Sequence, residues 1–251
     1  MNDIKMPIRL SLVIPCYNES GRIELMYKGI ADFISQWKGG LEVIIVNDGS
    51  KDNTYQLLLE HPVFKANVDS IKIYTQDNTG KGGALRLGVL QATGDYILTL
   101  DADMASPPTE LIKLMDKLGW SPMQDTIYIG SREHVDSIIH KQGDRKVAGN
   151  IFNLIVRALT PLKIRDTQCG FKLYPSVLAK KYFSGLQTYG WAHDVEILYK
   201  AYLDKNKIVE MPLEWNAIDG SKIRLFKDGM NMIKEVLTII LKTKRQHKNE
   251  K

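Results

Sequence analysis

Cysteine is scarce. Cys16 and Cys169 are the only two, far apart and not in a CxxC pair. That excludes a small disulfide scaffold and suits a reducing compartment. No apolar run approaches the roughly 20 residues that carry a helix across a bilayer. The longest late run, Val236 to Leu241, is short and interrupted by Thr238. The opening stretch, MNDIKMPIRLSLVIP, has no long apolar core before a small-residue cleavage site, so no secretory signal is expected. HExxH, Cys/His zinc spacings and GxSxG are all missing, so zinc and serine-hydrolase chemistry lose support. There is no internal repeat, low-complexity tract or clear interdomain linker.

What is present is ordinary globular material. The 251 residues are 44% hydrophobic and 25% charged, enough for one large α/β domain or at most two small ones. The formal charge of +5 is local: from Lys242 to Lys251 five basic residues face one acid, Glu250, a net +4. A basic tail on a near-neutral chain argues against broad nucleic-acid binding and leaves open an acidic membrane surface.

The front half alternates between two periods. Arg9–Ile14, Leu41–Val46, Ile71–Thr75, Tyr96–Leu100 and Ile127–Gly130 read as buried strands. Arg22–Ser35, Lys51–Glu60, Gly82–Ala92 and Pro107–Leu118 read as helices between them. This alternation predicts right-handed βαβ units, a Rossmann-like, mostly parallel sheet with helices on both faces. The back half is less regular. Asp144–Leu159 and Asp194–Leu203 read as helices, Asp166–Tyr174 as a loop entering a strand, and Lys207–Pro212 as a short strand. Phe226–Leu241 is amphipathic, with Phe226, Met230, Ile233, Leu237 and Ile240 on one face and Lys227, Asn231, Lys234, Thr238 and Lys242 on another. The expected division is a main domain over 1–225, followed by an amphipathic helix and basic tail over 226–251.

In such sheets ligands sit beyond the carboxyl ends of the strands. Those ends carry Pro15-Cys16-Tyr17-Asn18-Glu19, Asn47-Asp48-Gly49-Ser50, Gln76-Asp77-Asn78, Asp101-Ala102-Asp103 and Ser131-Arg132. Four of the five bear a carboxylate and the fifth an arginine. Asp101 and Asp103, spaced i and i+2, point the same way at a strand end and can hold one hard divalent cation on a diphosphate. The alternative is a turn in which they bond nearby backbone. Asp48 can accept hydrogen bonds from a base or ribose, with Ser50 or Asp52 capping the next helix. Asn78-Thr79-Gly80-Lys81-Gly82-Gly83-Ala84 matches neither GxGxxG nor GxxxxGK[ST]. Backbone amides at a helix start plus Lys81 can touch phosphate, or the segment is a flexible turn. Arg132, Arg145 and Lys146 can hold anionic oxygens. His193-Asp194-Val195-Glu196 fits a metal, acid–base or purely structural role.

SLVIPCYNE, EVIIVNDGSKDNT, NTGKGGALRLG, GDYILTLDADMASPP, DTQCGFKLY, WAHDVEIL and DGSK together resemble the family-2 glycosyltransferases of GT-A fold. The later stretches resemble the lipid-phosphate branch, the dolichyl-phosphate β-glucosyltransferases and polyprenyl-phosphate mannose synthases. The similarity runs from about Leu10 to about Lys222. It implies inverting transfer of a hexose, glucose from UDP-glucose first, to a polyprenyl phosphate such as dolichyl or undecaprenyl phosphate. It places Pro15, Tyr17, Glu19 and Asp48 around the nucleoside. Asp101 and Asp103 would hold Mg²⁺ or Mn²⁺, and Arg132, Arg145 and Lys222 would contact phosphates. The mannose synthases often carry Gln two residues after the second Asp; here Ala105 stands there. The eukaryotic glucosyltransferases begin with a membrane-spanning segment, and no such segment is seen in this sequence.

A phosphate acceptor already carries about 1.5 to 2 negative charges at neutral pH and needs no general base. A sugar-hydroxyl acceptor needs one, and Asp166 or Asp194 is then the candidate. GDP-mannose as donor, a glycan acceptor, and a non-catalytic nucleotide-sugar-binding protein stay open as other readings. The amphipathic segment and +4 tail fit a peripheral helix on the cytoplasmic face of an anionic membrane, or else a helix packed on the core.

Overall fold

The computed structural model describes residues 8–118, 121–140, 145–190, 192–216 and 234–243; the side chains of 117–118 and 145–151 lie outside this description. The front half alternates as its periodicity predicts. Strands β1 (Leu10–Cys16), β2 (Leu41–Asp48), β3 (Ile71–Gln76) and β4 (Tyr96–Thr99) are separated by α1 (Ile23–Gln36), α2 (Thr54–Glu60), α3 (Pro62–Ala66) and α4 (Lys81–Gln91). There follow α5 (Thr109–Leu118), β5 (Thr126–Gly130), β6 (Ile138–His140) and α6 (Arg145–Leu159). The chain continues through β7 (Lys172–Pro175), α7 (Ser176–Ser184), α8 (His193–Leu203), β8 (Lys207–Met211) and β9 (Glu214–Asn216). Residues 234–243 are helical.

Seven strands form one sheet in the order β3-β2-β1-β4-β7-β5-β8, and β6 pairs with β9 in a small second sheet. β1 runs parallel to β2 and β4, pairing Leu12 with Val43 and Leu98. Its inward residues alternate between two cores, as the period of a strand covered on both faces requires. Leu12, Ile14, Val43 and Ile45 pack on one side with Met26, Ile30 and Phe33 of α1. Val13, Ile44 and Val46 pack on the other with Ala84, Leu85 and Val89 of α4 and with Val195 and Leu198 of α8.

Four departures from the sequence expectation bear on the site. β7 lies between β4 and β5 and runs antiparallel to both. It therefore enters at the edge where β4 and β5 leave, and the loop 166–171 lies beside their carboxyl ends. α7 went unpredicted because its buried stripe is only Ala179, Tyr182 and Phe183, too little for a clear 3.6-residue signal. α2 begins at Thr54 rather than near Lys51: Ser50 takes the Asn18 amide at 3.0 Å, and Asp52 accepts the Thr54 amide at 3.0 Å. Finally, helix 234–243 buries Val236, Ile239 and Ile240 in the core shared with α4 and α8, and leaves Leu237 exposed. The core-facing stripe is thus rotated from the predicted one. Phe226, Met230 and Ile233 lie outside the described residues.

Candidate active site at the strand ends

The carboxyl ends of β1, β2 and β3 are bound into one unit. Asn18, in left-handed backbone at φ 51°, accepts the Lys51 amide at 2.7 Å, and Thr54 accepts the Glu19 amide at 2.7 Å. Glu19 itself pairs with Arg22 at 2.6 Å. Tyr17 is half-buried just beyond β1, and Pro15 lies inside that strand opposite Val46.

Asp48 is buried, and its oxygens are taken up by the chain. Oδ1 accepts the Gln76 amide nitrogen at 2.7 Å and the Thr79 backbone N–H at 3.0 Å, while Oδ2 accepts the Gly80 N–H at 2.9 Å. A carboxylate collecting neighbouring amides fixes the backbone that bears them. Asp48 therefore shapes the glycine-rich loop, a role additional to the nucleoside contact that the resemblance implies. Gly80 sits at φ 96°, and a Cβ there would come within 2.7 Å of the Tyr189 carbonyl. The loop delivers Lys81 as the first residue of α4, where the Gly82 N–H donates to that same carbonyl at 2.8 Å.

Lys81 reaches across to β4. Its Nζ lies 2.6 Å from Asp101 Oδ1. Burial alone would lower the lysine pKa, but Asp101 and then Asp194 outweigh it and raise it. The Asp101 carboxyl fills the space beside Gly170, where a Cβ would lie 2.4–2.6 Å from its atoms. Asp103 accepts the Ala105 N–H at 3.1 Å. Burial first, and the Asp101 charge second, push its carboxyl pKa up. Two carboxylates at one edge are the oxygen ligands that suit a hard divalent cation. Among the described residues no three His, Cys, Asp or Glu side chains converge. A cation held by these two carboxylates alone would need further oxygen ligands from outside the chain. Ala105 is buried and brings no ligand.

Arg132, at the end of β5, is engaged by a residue from the loop entering β7. Its Nε and Nη2 donate to Asp166 at 2.7 and 2.8 Å, and its backbone N–H donates at 3.1 Å. Asp166 is 1% exposed. Burial would raise its pKa, yet the guanidinium wins and lowers it. The arginine's outer face stays in the cleft, with Trp215 5.7 Å from its guanidinium carbon. Asp101, Ser106, Arg132, Gln168 and Phe171 line that cleft together.

Beneath it lies a second, wholly buried pair, Lys172 and Asp194, with Nζ and Oδ1 2.7 Å apart. Lys172 also donates to the Cys169 carbonyl. His193 stacks its charge possibilities on the same group, with Nε2 3.4 Å from Asp194 Oδ1. Its Nδ1 lies 2.9 Å from the Gly190 carbonyl. A carbonyl only accepts, so Nδ1 carries the proton. Burial leads the forces lowering the His193 pKa, and Nε2 has no hydrogen-bond partner among the described residues. The Cys169 thiol is pushed up to about 12, chiefly by burial, which disfavours the reactive thiolate. Glu196 accepts the Thr188 amide at 2.7 Å and the Gln187 amide at 3.0 Å, which braces the segment whose Tyr189 carbonyl meets Gly82.

The structure therefore gathers Lys81, Asp101, Asp103 and Arg132 at one edge, with Asp48 behind the loop that aims Lys81. Both candidate bases, Asp166 and Asp194, are buried in ion pairs. Lys222 lies outside the described residues, as do the side chains of Arg145 and Lys146. Sequence reasoning overlooked Gly170 and Lys172. Their signal was the unusual burial load of a short loop–strand segment, GFKLY, that carries a charge. A larger cavity of about 300 Å³ lies elsewhere, between Thr188, Glu196, Glu235 and Thr238.

A mostly parallel sheet carrying an Asp-x-Asp pair and a glycine-rich loop along one edge defines a GT-A-type transferase fold. The profile of glycosyl transferase family 2 matches residues 11–183, and the chain belongs to that family. It is 38% identical to the dolichyl-phosphate beta-glucosyltransferase of Saccharomyces cerevisiae, over 92% of this chain and 74% of that one. It is 37% identical to the human protein of the same name, over 93% and 75%. Among solved structures it resembles glucosyl-3-phosphoglycerate synthase from Mycobacterium tuberculosis in complex with Mn²⁺ and UDP-glucose. That match has a TM-score of 0.67 and 17% identity, and covers 94% of this chain and 79% of the other. Mannosyl-3-phosphoglycerate synthase from Rubrobacter xylanophilus matches at TM-score 0.63 and 18% identity, over 96% and 75%. These structural likenesses show the fold. No described helix is long and apolar enough to cross a membrane.

Proposed function

We propose that this chain is an inverting, metal-dependent glucosyltransferase that moves glucose from UDP-glucose to a polyprenyl phosphate of the dolichyl type. The observation that carries the reading is the coincidence of the Asp101/Asp103 edge with near-full-length similarity to dolichyl-phosphate glucosyltransferases. Asp101 and Asp103 would hold Mg²⁺ or Mn²⁺, which neutralises the donor diphosphate and stabilises it as a leaving group. Pro15, Tyr17 and Glu19 line the approach to the nucleoside, and Asp48 fixes the loop beneath it. Lys81 and Arg132 supply positive charge at the edge where diphosphate and acceptor phosphate meet; Arg145 and Lys222 are assigned to phosphate by resemblance alone.

The burial of Asp166 and Asp194 in ion pairs supports a phosphate acceptor. A carboxylate whose pKa is lowered by a bound cation is a poor proton acceptor. A phosphate nucleophile needs none, so catalysis reduces to alignment and charge neutralisation. The inversion follows from one displacement at the anomeric carbon, with the acceptor phosphate opposite the nucleoside diphosphate. A lipid acceptor brings the enzyme to a membrane surface, and we assign it a peripheral place on the cytoplasmic face. Helix 234–243 and the basic residues that follow it are the nearest candidates for that contact.

The test is transfer of radiolabelled sugar into organic-extractable lipid, with UDP-glucose, GDP-mannose and no donor compared at fixed Mn²⁺. UDP-dependent label in lipid is expected. No lipid product from any donor would overturn the reading.

A further inference from the structure

We propose that Trp215 is a positioning residue for Arg132. Its indole and the Asp166 carboxylate hold the guanidinium between them and leave the third nitrogen, Nη1, for the acceptor phosphate. This deepens the reading just given, in that Arg132 is taken to meet that phosphate.

A long arginine side chain has many rotamers, so its contacts decide where it points. The Asp166 fork takes Nε and Nη2 at 2.7 and 2.8 Å, and 33% of the Arg132 side chain stays exposed. A carboxylate fork lies in the guanidinium plane and leaves its faces open. Trp215 supplies the second contact. The guanidinium carbon lies over its ring, 5.7 Å from the centroid, within the roughly 6 Å reach of a cation–π interaction. The indole is itself held. A three-residue strand such as β9 is weak alone, but both neighbours of Trp215 are bonded to the turn that follows Asp103. The Asn216 N–H donates to the Ala105 carbonyl at 2.8 Å, and the Glu214 carbonyl accepts the Ser106 hydroxyl at 3.3 Å. The Glu214 N–H donates to Glu110 at 2.8 Å, and Lys113 joins both acids at 2.6 and 2.9 Å. One short strand thus ties the Asp101/Asp103 turn to the arginine across the cleft. In the sheet order Arg132 follows β5, two places beyond β4 and away from β1 to β3. The nucleoside is assigned to β1 and β2. An in-line displacement puts the acceptor opposite the leaving diphosphate, and that is the side of Arg132.

The test is steady-state transfer to dolichyl phosphate in detergent by the full chain, comparing wild type, W215L and W215F. Leucine keeps apolar bulk without a ring, and phenylalanine keeps the ring. W215L should raise the KM for dolichyl phosphate about tenfold, the size of one partly desolvated cation–π contact, and leave the KM for UDP-glucose within about twofold. W215F should recover most of the loss. A raised KM for UDP-glucose with the acceptor KM unchanged would overturn the proposal. Equal losses in W215F and W215L would also overturn it, since they would mark a packing role alone. A second readout needs no substrate. Labelling of Arg132 by phenylglyoxal, followed by mass spectrometry, should quicken several-fold in W215L and not in W215F. Arg9, exposed before β1 at the opposite edge of the sheet, is the control. An Arg132 rate in W215L equal to that of wild type would overturn the proposal even with lipid product formed. No lipid product from wild type would overturn the reading of function instead, while the labelling would still decide the Trp215–Arg132 contact. If Arg9 quickens equally and so marks W215L as unfolded, W215M takes its place, because methionine fills irregular gaps.

Discussion

Just beyond β4 two acids stand at a partly exposed edge. Asp101 keeps 38% of its side chain exposed, and Asp103 carries a raised pKa because burial and its neighbour penalise its charge. Between Asp166 and Asp194 the same residue type is buried and matched with a cation inside the chain. Arg132 holds Asp166, Lys172 holds Asp194, and both acids have lowered pKa values. The first region keeps its acids at a partly exposed edge, with Lys81 against Asp101. The second neutralises its charge internally and packs against the first where Gly170 meets the Asp101 carboxyl. Substitutions in the two regions should therefore separate activity from stability.

The sharpest contrast is Asp103→Ala. Turnover should fall by about a thousandfold or more, the range for removing a preorganised electrostatic group. The melting temperature should hold or rise, because an acid with a raised folded-state pKa destabilises the fold when ionised. Steady-state assays and a thermal melt decide it. A large drop in Tm with retained turnover at saturating Mn²⁺ would reverse the assignment of the two regions.

Lys172→Met should do the opposite. It leaves Asp194 buried without its ammonium, which costs about 3–5 kcal/mol, or roughly 10 °C in Tm for a chain of this size. Adding Asp194→Leu should restore most of the loss, because a well-packed apolar pair can replace a buried ion pair. The acid limb of the stability curve carries the same signature. Asp166 and Asp194 have depressed folded-state pKa values, so their contribution is complete above the ordinary carboxylate pKa of about 3.9 and is lost as pH falls below it. Asp166→Asn should flatten that limb in a pH-dependent melt. An unchanged limb would mean that Arg132 does not hold Asp166 in solution.

Gly170→Ala tests the bridge between the regions. Its methyl would collide with the Asp101 carboxyl, so Asp101 or the start of β7 must shift. We expect about a hundredfold loss of turnover, typical of a 1 Å misplacement, with a stability cost of about 1–3 kcal/mol from overpacking. Unchanged turnover would show that the Asp101 position tolerates movement.

How much of this was legible beforehand also divides along the comparison. β1 to β4 and their helices follow clean periods of two and 3.6, so strand ends, and with them Asp48, Lys81, Asp101 and Asp103, could be placed from spacing. What spacing did not give was partnership. Asp48 reads as a ligand contact, and that it also organises residues 76–80 was not legible, because nothing in one strand reveals the amides of another. The strand that DTQCGFKLY enters could be read, but its antiparallel insertion between β4 and β5 is a property of sheet order, not of local sequence. The Arg132–Asp166 pair joins residues 34 apart, which only the fold brings together.

Helix 234–243 combines the habits of both regions, and its test has the smallest expected effect. Val236, Ile239 and Ile240 are buried with α4 and α8, whereas Leu237 and Leu241 are 45% and 72% exposed, one turn apart. Lys234 and Lys242 are exposed on the same helix. Exposed leucines flanked by lysines suit an interface with anionic lipid, the lysines meeting headgroups and the leucines the acyl boundary. Replacing both leucines by Ser should leave stability within about 0.5 kcal/mol, as expected for surface positions. It should reduce co-flotation with vesicles containing phosphatidylserine and slow transfer to a vesicle-borne acceptor more than to a detergent-dispersed one. Val236→Ala should instead lower stability by about 1–2 kcal/mol through lost packing and leave flotation alone. If the leucine pair destabilises the chain and flotation does not change, the helix serves the core alone, and membrane contact must be sought elsewhere.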